Sequence, residues 1–180
     1  MIIALAGRRV DPPDAKEHRF PGSVSNIEVV RDRIRTSLKN HGAQVLVSSA
    51  ACGSDLLALL EAGNLGLRRR IVLPFEPEEF RNRSVMDRPG DWGALYDRVL
   101  AEVQKNADIL VVRSNIEGHA LINVNLAIIK EALLLGSRLQ QSVAAMVVWD
   151  GKSRGNSDLT EEFGISARSH GLPVTEIMTL

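Results

Sequence analysis

The chain has 180 residues, of which 44% are hydrophobic, 24% charged and only 4% aromatic, so we expect one globular domain over residues 1–180 with an aliphatic core. Its 22 basic and 22 acidic residues cancel, which argues against a protein that coats nucleic acid through bulk charge. The single cysteine, Cys52, excludes an intramolecular disulfide, and no apolar run approaches the roughly 18 residues of a membrane span. We therefore expect a cytoplasmic protein without membrane association.

Short apolar runs alternate with helical patterns along the chain, which is typical of βαβ units and a parallel sheet. Strands are predicted at 2–6, 44–48, 70–75, 108–113, 143–150 and 172–178. Helical patterns cover about 25–40, 56–63, 92–103, 120–135 and 159–167. The sequence predicts an α/β fold of the three-layer, Rossmann-like type, with an open, mostly parallel sheet of about six strands and helices on both faces. The default strand order is 3-2-1-4-5-6, with the position of the fourth strand left open.

Three local expectations accompany this fold. Ser25 with Glu28 forms a capping-box pattern, which indicates the start of the first helix. The segment 76–91 is expected to be an irregular loop with about one helical turn, because prolines interrupt the helical pattern. Asn156 or Ser157 is expected to cap the last helix.

Ligands of open parallel sheets bind beyond the carboxyl ends of the strands, near the point beside the first strand where the strand order reverses. The first loop at that edge reads AGRRVDPP. Gly7 permits a tight turn there, and Arg8 and Arg9 place two guanidinium groups where an anionic ligand would bind. The alternative is that these arginines pair with neighbouring carboxylates such as Asp11 or Asp14.

The second loop reads SSAACGSD and connects a strand to a helix. Its small residues raise the question of what approaches the backbone, a ligand or only the neighbouring chain. A ligand would find donors at Ser48 and Ser49 and free amides at the helix start near Gly53 and Ser54. Asp55, in the first helical turn, can be a cap, a ligand contact or a catalytic group. The cysteine of this loop is interpreted as a small buried residue rather than a nucleophile.

Two further loops and one helix complete the predicted crevice. The third loop begins at Pro74 and Phe75, and Glu76 follows them in a charged segment that can close over a ligand. The fourth loop supplies the candidates Trp149, Asp150, Gly151 and Arg154. Its aspartate suits hydrogen bonds from a ribose or a base, and its arginine suits a phosphate. Asn125, unusual in an apolar helix, must find hydrogen-bond partners and is a further candidate; no spacing of metal ligands is found.

Several of these segments together resemble a known group of proteins. ALAGRRVD is similar to a strand-one glycine turn of that group, and LVSSAACGSDLLALLEA to its strand-two motif, in which small residues precede Gly53 and Asp55. NLAIIKEA followed by VVWDGKSRGNSDLTEEF is similar to its Asn-containing helix and W-D-G strand end. The chain thus resembles a bacterial branch of the SLOG superfamily, the Rossmann-like fold shared by the DNA-processing protein A and LOG (lysine-decarboxylase-like) families. The resemblance implies a domain that senses or processes nucleotide-type ligands.

Two departures from that group limit what the resemblance implies. LOG phosphoribohydrolases carry a PGGxGTxxE motif, which this sequence lacks, so their catalytic residues have no counterparts here. DNA-processing proteins bind single-stranded DNA through basic surface, whereas the charge of this chain is balanced. The resemblance therefore supports the fold more strongly than any activity.

Three functions remain open at this point. The first is a sensor or processing domain that binds a nucleotide-like small molecule and needs no cofactor. The second is an N-glycosidic hydrolase acting on nucleotides, with Asp55, Glu76 or Asp150 as the catalytic carboxylate. The third, disfavoured by the balanced charge, is single-stranded nucleic-acid binding through Arg68, Arg69, Arg70, Arg81, Arg83 and Arg88. The apolar helix 120–135 is expected to be buried in the domain or to form a homodimer or larger homo-oligomer contact.

Overall fold

The computed structural model describes residues 1–112, 120–155 and 158–180, and for 120–123 the backbone only. This part of the chain contains six strands and six helices, with one helix between successive strands except for two between the third and the fourth. The strands are β1 (Ile2–Gly7), β2 (Val45–Ser48), β3 (Arg68–Leu73), β4 (Ile109–Val111), β5 (Val143–Trp149) and β6 (Val174–Met178). The helices are α1 (Val24–Asn40), α2 (Ser54–Asn64), α3 (Pro77–Ser84), α4 (Trp92–Gln104), α5 (Ala120–Leu139) and α6 (Leu159–Ser169). None of these helices combines the length and hydrophobicity of a membrane span.

The strands form one parallel sheet in the order β4-β3-β2-β1-β5-β6. This confirms the predicted α/β, Rossmann-like class with helices on both faces. The default order 3-2-1-4-5-6 is wrong, because β5 and not β4 pairs with β1. Burial explains the difference: β5 is buried along residues 144–148 and suits the centre of the sheet. Strand β4 has only three residues, all partly exposed, and lies at the edge beside β3.

The two faces of the sheet bury separate aliphatic cores, because successive side chains of a strand point to opposite faces. Ile3 and Leu5 belong to the core beneath α1, α2 and α4. Ile2 and Ala4 belong to the core beneath α5 and α6. Helix α5 connects β4 at the edge with β5 near the centre and packs on β1, β2, β3 and β5. The long apolar helix predicted from the sequence therefore covers most of one face of the sheet.

The connections that follow β1 and β5 diverge to opposite faces of the sheet. Helix α1 follows β1 on the first face, whereas α6 follows β5 on the second. Neighbouring parallel strands whose connections diverge leave a crevice between their carboxyl ends. In this sheet that crevice lies between the loop after β1 and the loop that follows β5.

The structure differs from the prediction at the start of α1 and in the segment 76–91. Helix α1 is capped by Ser23, whose hydroxyl accepts a hydrogen bond from the Asn26 amide, so the expected cap at Ser25 is wrong. The segment 76–91, expected to be irregular, contains the two-turn helix α3. Its first residue is Pro77, which the first turn of a helix tolerates because the amide there has no partner within the helix.

Candidate functional site

Two adjoining cavities open at the crevice between β1 and β5. The larger, which we call the outer crevice, has a volume of about 450 Å³ and lies between the loop after β1 and the start of α6. The smaller, the inner chamber, has a volume of about 110 Å³ and lies between the ends of α2, α3, α5 and α6. Gly7, Arg9, Leu159 and Thr160 line both cavities. A separate groove of about 590 Å³ between α1 and β6 is lined by none of the predicted site residues.

Arg8 is buried at the end of β1, where carboxylates engage its whole guanidinium group. Its Nε donates to Asp150 Oδ1 at 3.0 Å, and its Nη1 and Nη2 donate to the two oxygens of Asp158 at 2.6 and 2.8 Å. Nη2 also donates to a backbone carbonyl of the loop after β5 at 2.7 Å. Arg8 thus pairs with carboxylates, as the alternative interpretation of the sequence expected, but the partners are Asp150 and Asp158 instead of Asp11 or Asp14. Arg8 ties the ends of β1 and β5 together.

Asp158 links this network to the start of α6. Its carboxylate also accepts hydrogen bonds from two amides of the first helical turn, so Asp158 is the helix cap that was expected at Asn156 or Ser157. Asn156 and Ser157 themselves lie outside the described residues. Burial alone would raise the pKa of Asp158, but hydrogen bonds from Arg8 and from backbone amides lower it to about 2. The carboxylate is therefore ionised at neutral pH.

The small residues of SSAACGSD make room for the neighbouring chain. Gly53 has a φ of +95°, and a Cβ there would lie 2.8 Å from the Val10 nitrogen and 2.9 Å from the Arg8 oxygen. A Cβ on Gly7 would lie 2.5 Å from the Cβ of Ser54. The Ser54 hydroxyl and amide both donate to the Arg8 carbonyl, at 2.8 and 3.1 Å. The turn thus holds the loop after β1 against the start of α2.

The outer crevice is rich in arginine side chains. Five arginines and three carboxylates line it, and the arginines are Arg8, Arg9, Arg19, Arg88 and Arg154. Arg9 and Arg88 both contact Asp87. Arg154 is exposed, and its guanidinium group forms no hydrogen bond or ion pair with any described residue. Partial desolvation of the guanidinium group and the nearby charge of Arg8 lower the pKa of Arg154.

The inner chamber contains an unpartnered carboxylate oxygen. Asp55 is only 6% exposed; its Oδ2 accepts from the Ala51 amide at 3.4 Å, and its Oδ1 has no partner among the described residues. Burial raises the pKa of Asp55 to about 7, although nearby donors, first among them the Ala51 amide, lower it in part. Asn125 lines the same chamber and donates from Nδ2 to the Leu159 carbonyl at 2.8 Å. The chamber therefore joins acid, hydroxyl and amide groups within apolar walls.

The other predicted residues line neither cavity, namely Ser48, Gly53, Ser54, Pro74, Phe75, Glu76, Trp149, Asp150 and Gly151. The Ser48 hydroxyl donates to the Leu5 carbonyl at 3.0 Å, and the Trp149 indole donates to Glu176 at 3.1 Å. Cys52 is fully buried, which confirms its interpretation as a small core residue. Over the described ranges, no cluster of three or more His, Cys, Asp or Glu side chains could hold a metal ion.

Sequence reasoning missed the lining residues Arg19, Ser84 and Thr160, and it considered Arg88 only for nucleic-acid binding. Arg19 and Arg88 come from irregular loops that fold back over β1, and no local pattern signals their position. Asp158 had a usable signal, because an aspartate three residues before Glu161 is a capping-box pattern.

Comparison with solved structures finds a similarity to the X-ray structure of DNA processing protein A from Streptococcus pneumoniae. The match has 15% sequence identity and a TM-score of 0.35, and it covers 96% of this chain and 57% of that chain. The present chain thus spans little more than half the length of that protein. No protein-family model and no curated protein matches the sequence.

Proposed function

We propose that the outer crevice binds a nucleotide or a nucleotide-derived small molecule, as a sensor or processing domain would. The observation that carries this proposal is Arg154, which lines the crevice beside four ion-paired arginines and has no side-chain partner of its own among the described residues. Guanidinium groups present a planar fork of donors that matches phosphate oxygens. The volume of about 450 Å³ falls in the range of roughly 300–1,000 Å³ found for small-molecule sites.

The Arg8 network supports the proposal by fixing the walls of the crevice. Asp150 binds Arg8 through one oxygen and Arg19 through the other, at 3.0 and 2.8 Å. These bonds join the loops after β1 and β5 to the segment 12–22. Since preformed walls reduce the entropy lost when a ligand binds, Arg8 and Asp150 are positioning residues in this proposal.

Isothermal titration calorimetry with AMP tests the proposal, with adenosine as the control that lacks phosphate. Arg154→Ala should weaken AMP binding about tenfold, because it removes a charge-assisted hydrogen bond, and should leave the thermal midpoint unchanged. Arg138→Ala, on the exposed end of α5 at the opposite edge of the sheet, is the matched control. Failure of the wild-type protein to bind AMP, or equal AMP affinities for the three proteins, would contradict the proposal.

A second candidate function, N-glycosidic hydrolysis of nucleotides, is favoured by Asp55. Of the three candidate carboxylates, Asp55 alone lines one of the two cavities. Asp150 is held by two arginines, and Glu76 is exposed at the start of α3. A carboxyl group that titrates near neutral pH can protonate a leaving base or activate water. Incubation with AMP should then release adenine, and Asp55→Asn should abolish the release; unchanged turnover in the variant would rule out this role.

Support for single-stranded nucleic-acid binding is weaker. Arg68, Arg69 and Arg70 lie on β3 towards the amino edge of the sheet, and each pairs with a carboxylate. The remaining arginines of that hypothesis follow β3 at the carboxyl edge, where ion pairs also engage them. The six side chains therefore do not form one basic strip along which a strand could run.

A further inference from the structure

The phosphate binding proposed for the outer crevice involves neither Asp55 nor the inner chamber. The chamber of about 110 Å³ holds about four water molecules at roughly 30 Å³ each, so it accepts a few atoms of a ligand and not a whole nucleotide. It opens beside Arg9 and Thr160, which also line the outer crevice. Asp55 lines this chamber, and its Oδ1 is buried without a partner among the described residues; a buried polar atom without a partner calls for one.

The groups that face Asp55 determine what this partner can be. Among the described residues, Arg9 is the one charged side chain that lines the chamber with it. Helix α3 contributes Phe80 and Ser84, while α5 and α6 contribute the uncharged Asn125 and Thr160. A phosphate in the outer crevice would bring negative charge close to Asp55, and a ligand in the chamber would exclude water. Both effects disfavour the carboxylate form and favour the protonated acid.

We propose that the inner chamber is a selectivity subsite for an uncharged hydrogen-bond acceptor of the ligand, a carbonyl oxygen or an unprotonated ring nitrogen, to which Asp55 donates from Oδ1. Asp55 takes the required proton from solvent when the ligand binds. This inference rests on the proposed function, because the ligand enters through the outer crevice. It makes affinity fall as the pH rises above neutrality, since the free carboxyl, with a pKa of about 7, must be protonated in the complex.

Calorimetry of AMP binding at pH 6 to 8.5, in buffers of different ionisation enthalpy, measures this proton uptake. The wild-type protein should take up more than about half a proton per AMP at pH 8, and its affinity should fall up to about tenfold per pH unit above 7. Asp55→Asn, which keeps the shape and a donor, should bind AMP without this uptake. Glu61→Gln, a buried acid-to-amide change on the same helix but outside the chamber, is the matched control and should behave as wild type. Protons that the AMP phosphate itself exchanges near pH 6 are common to all three proteins.

Ribose 5-phosphate, which offers the phosphate but no base, separates the two cavities. Its binding should lack the uptake that depends on Asp55. Equal proton uptake by the wild-type protein and Asp55→Asn would overturn the subsite while leaving nucleotide binding intact. Absence of AMP binding by the wild-type protein would overturn the proposed function and the subsite together.

Discussion

Asp55→Asn is expected to stabilise the protein at pH 8 and to have little effect near pH 4. Burial raises the pKa of this carboxyl from 3.8 to about 7 in the folded chain. Between those values the unfolded chain has released the proton and the folded chain retains it. The free energy of unfolding therefore falls as the pH rises from about 4 to about 7 and is level above that. A difference of about three units corresponds to about 4 kcal/mol at most, the cost that asparagine avoids.

Urea denaturation followed by circular dichroism at pH 4.5, 6 and 8 measures this effect. The stability gained by the variant should grow across the series, because other titrating groups act alike on both proteins. Glu61→Gln sharpens the comparison, since Glu61 is also buried on α2 but accepts two hydrogen bonds from Arg31 at 2.7 and 2.9 Å. It should lose about 2 kcal/mol at pH 8, opposite in sign to the Asp55 variant. A constant difference between Asp55→Asn and wild type at all three pH values would refute the reasoning.

Three further changes test the walls of the crevice. Arg8→Met should destabilise the protein by about 3–5 kcal/mol in urea, because it leaves Asp158 buried without its ion-pair partner and leaves Asp150 with Arg19 alone; a loss below 1 kcal/mol would contradict the clamp. Asp158→Asn should be costly at pH 7 and much less so near pH 2, since the lowered pKa of Asp158 stabilises the fold above about pH 4 and that stability is lost as the pH falls through about 2. Gly53→Ala should lower the thermal midpoint clearly more than Gly155→Ala, because both have positive φ but only Gly53 meets backbone atoms within 3 Å.

The strands and their class could be predicted because each is a short apolar run bounded by turn residues. The order of the strands could not be predicted, because it depends on which apolar segment occupies the centre of the sheet. The runs at β4 and β5 look alike in the sequence, yet the ladder with β1 extends over six residues of β5. The length of β5 and its burial on both faces place it beside β1. Burial on both faces becomes evident only when the helices are packed against the sheet.

The loops of the site could be predicted, whereas the roles of their side chains could not. Because the loops after β1 and β5 meet at the crevice, the rule for open sheets selected Arg8 and Arg154 correctly as neighbours of the same space. The guanidinium group of Arg8 is fully engaged by carboxylates more than 140 residues away along the chain, whereas that of Arg154 is exposed. Both are arginines in a loop that follows a central strand, so only the tertiary structure separates an arginine held in ion pairs from one without a described side-chain partner.

The small-residue turn first suggested a ligand, but its structural effect is the burial of the residue that follows it, Asp55. Gly53 and Ser54 let the loop after β1 lie against the start of α2, and this covering buries the carboxyl group of Asp55 that follows them. An asparagine would fit the same space and would avoid a cost of up to about 4 kcal/mol at neutral pH. A chain that carries such a cost beside a cavity has the pattern of a functional group rather than of a helix cap. We therefore interpret the turn as the feature that buries Asp55 and raises its pKa, and in the subsite proposed above the ligand supplies the partner that Oδ1 lacks.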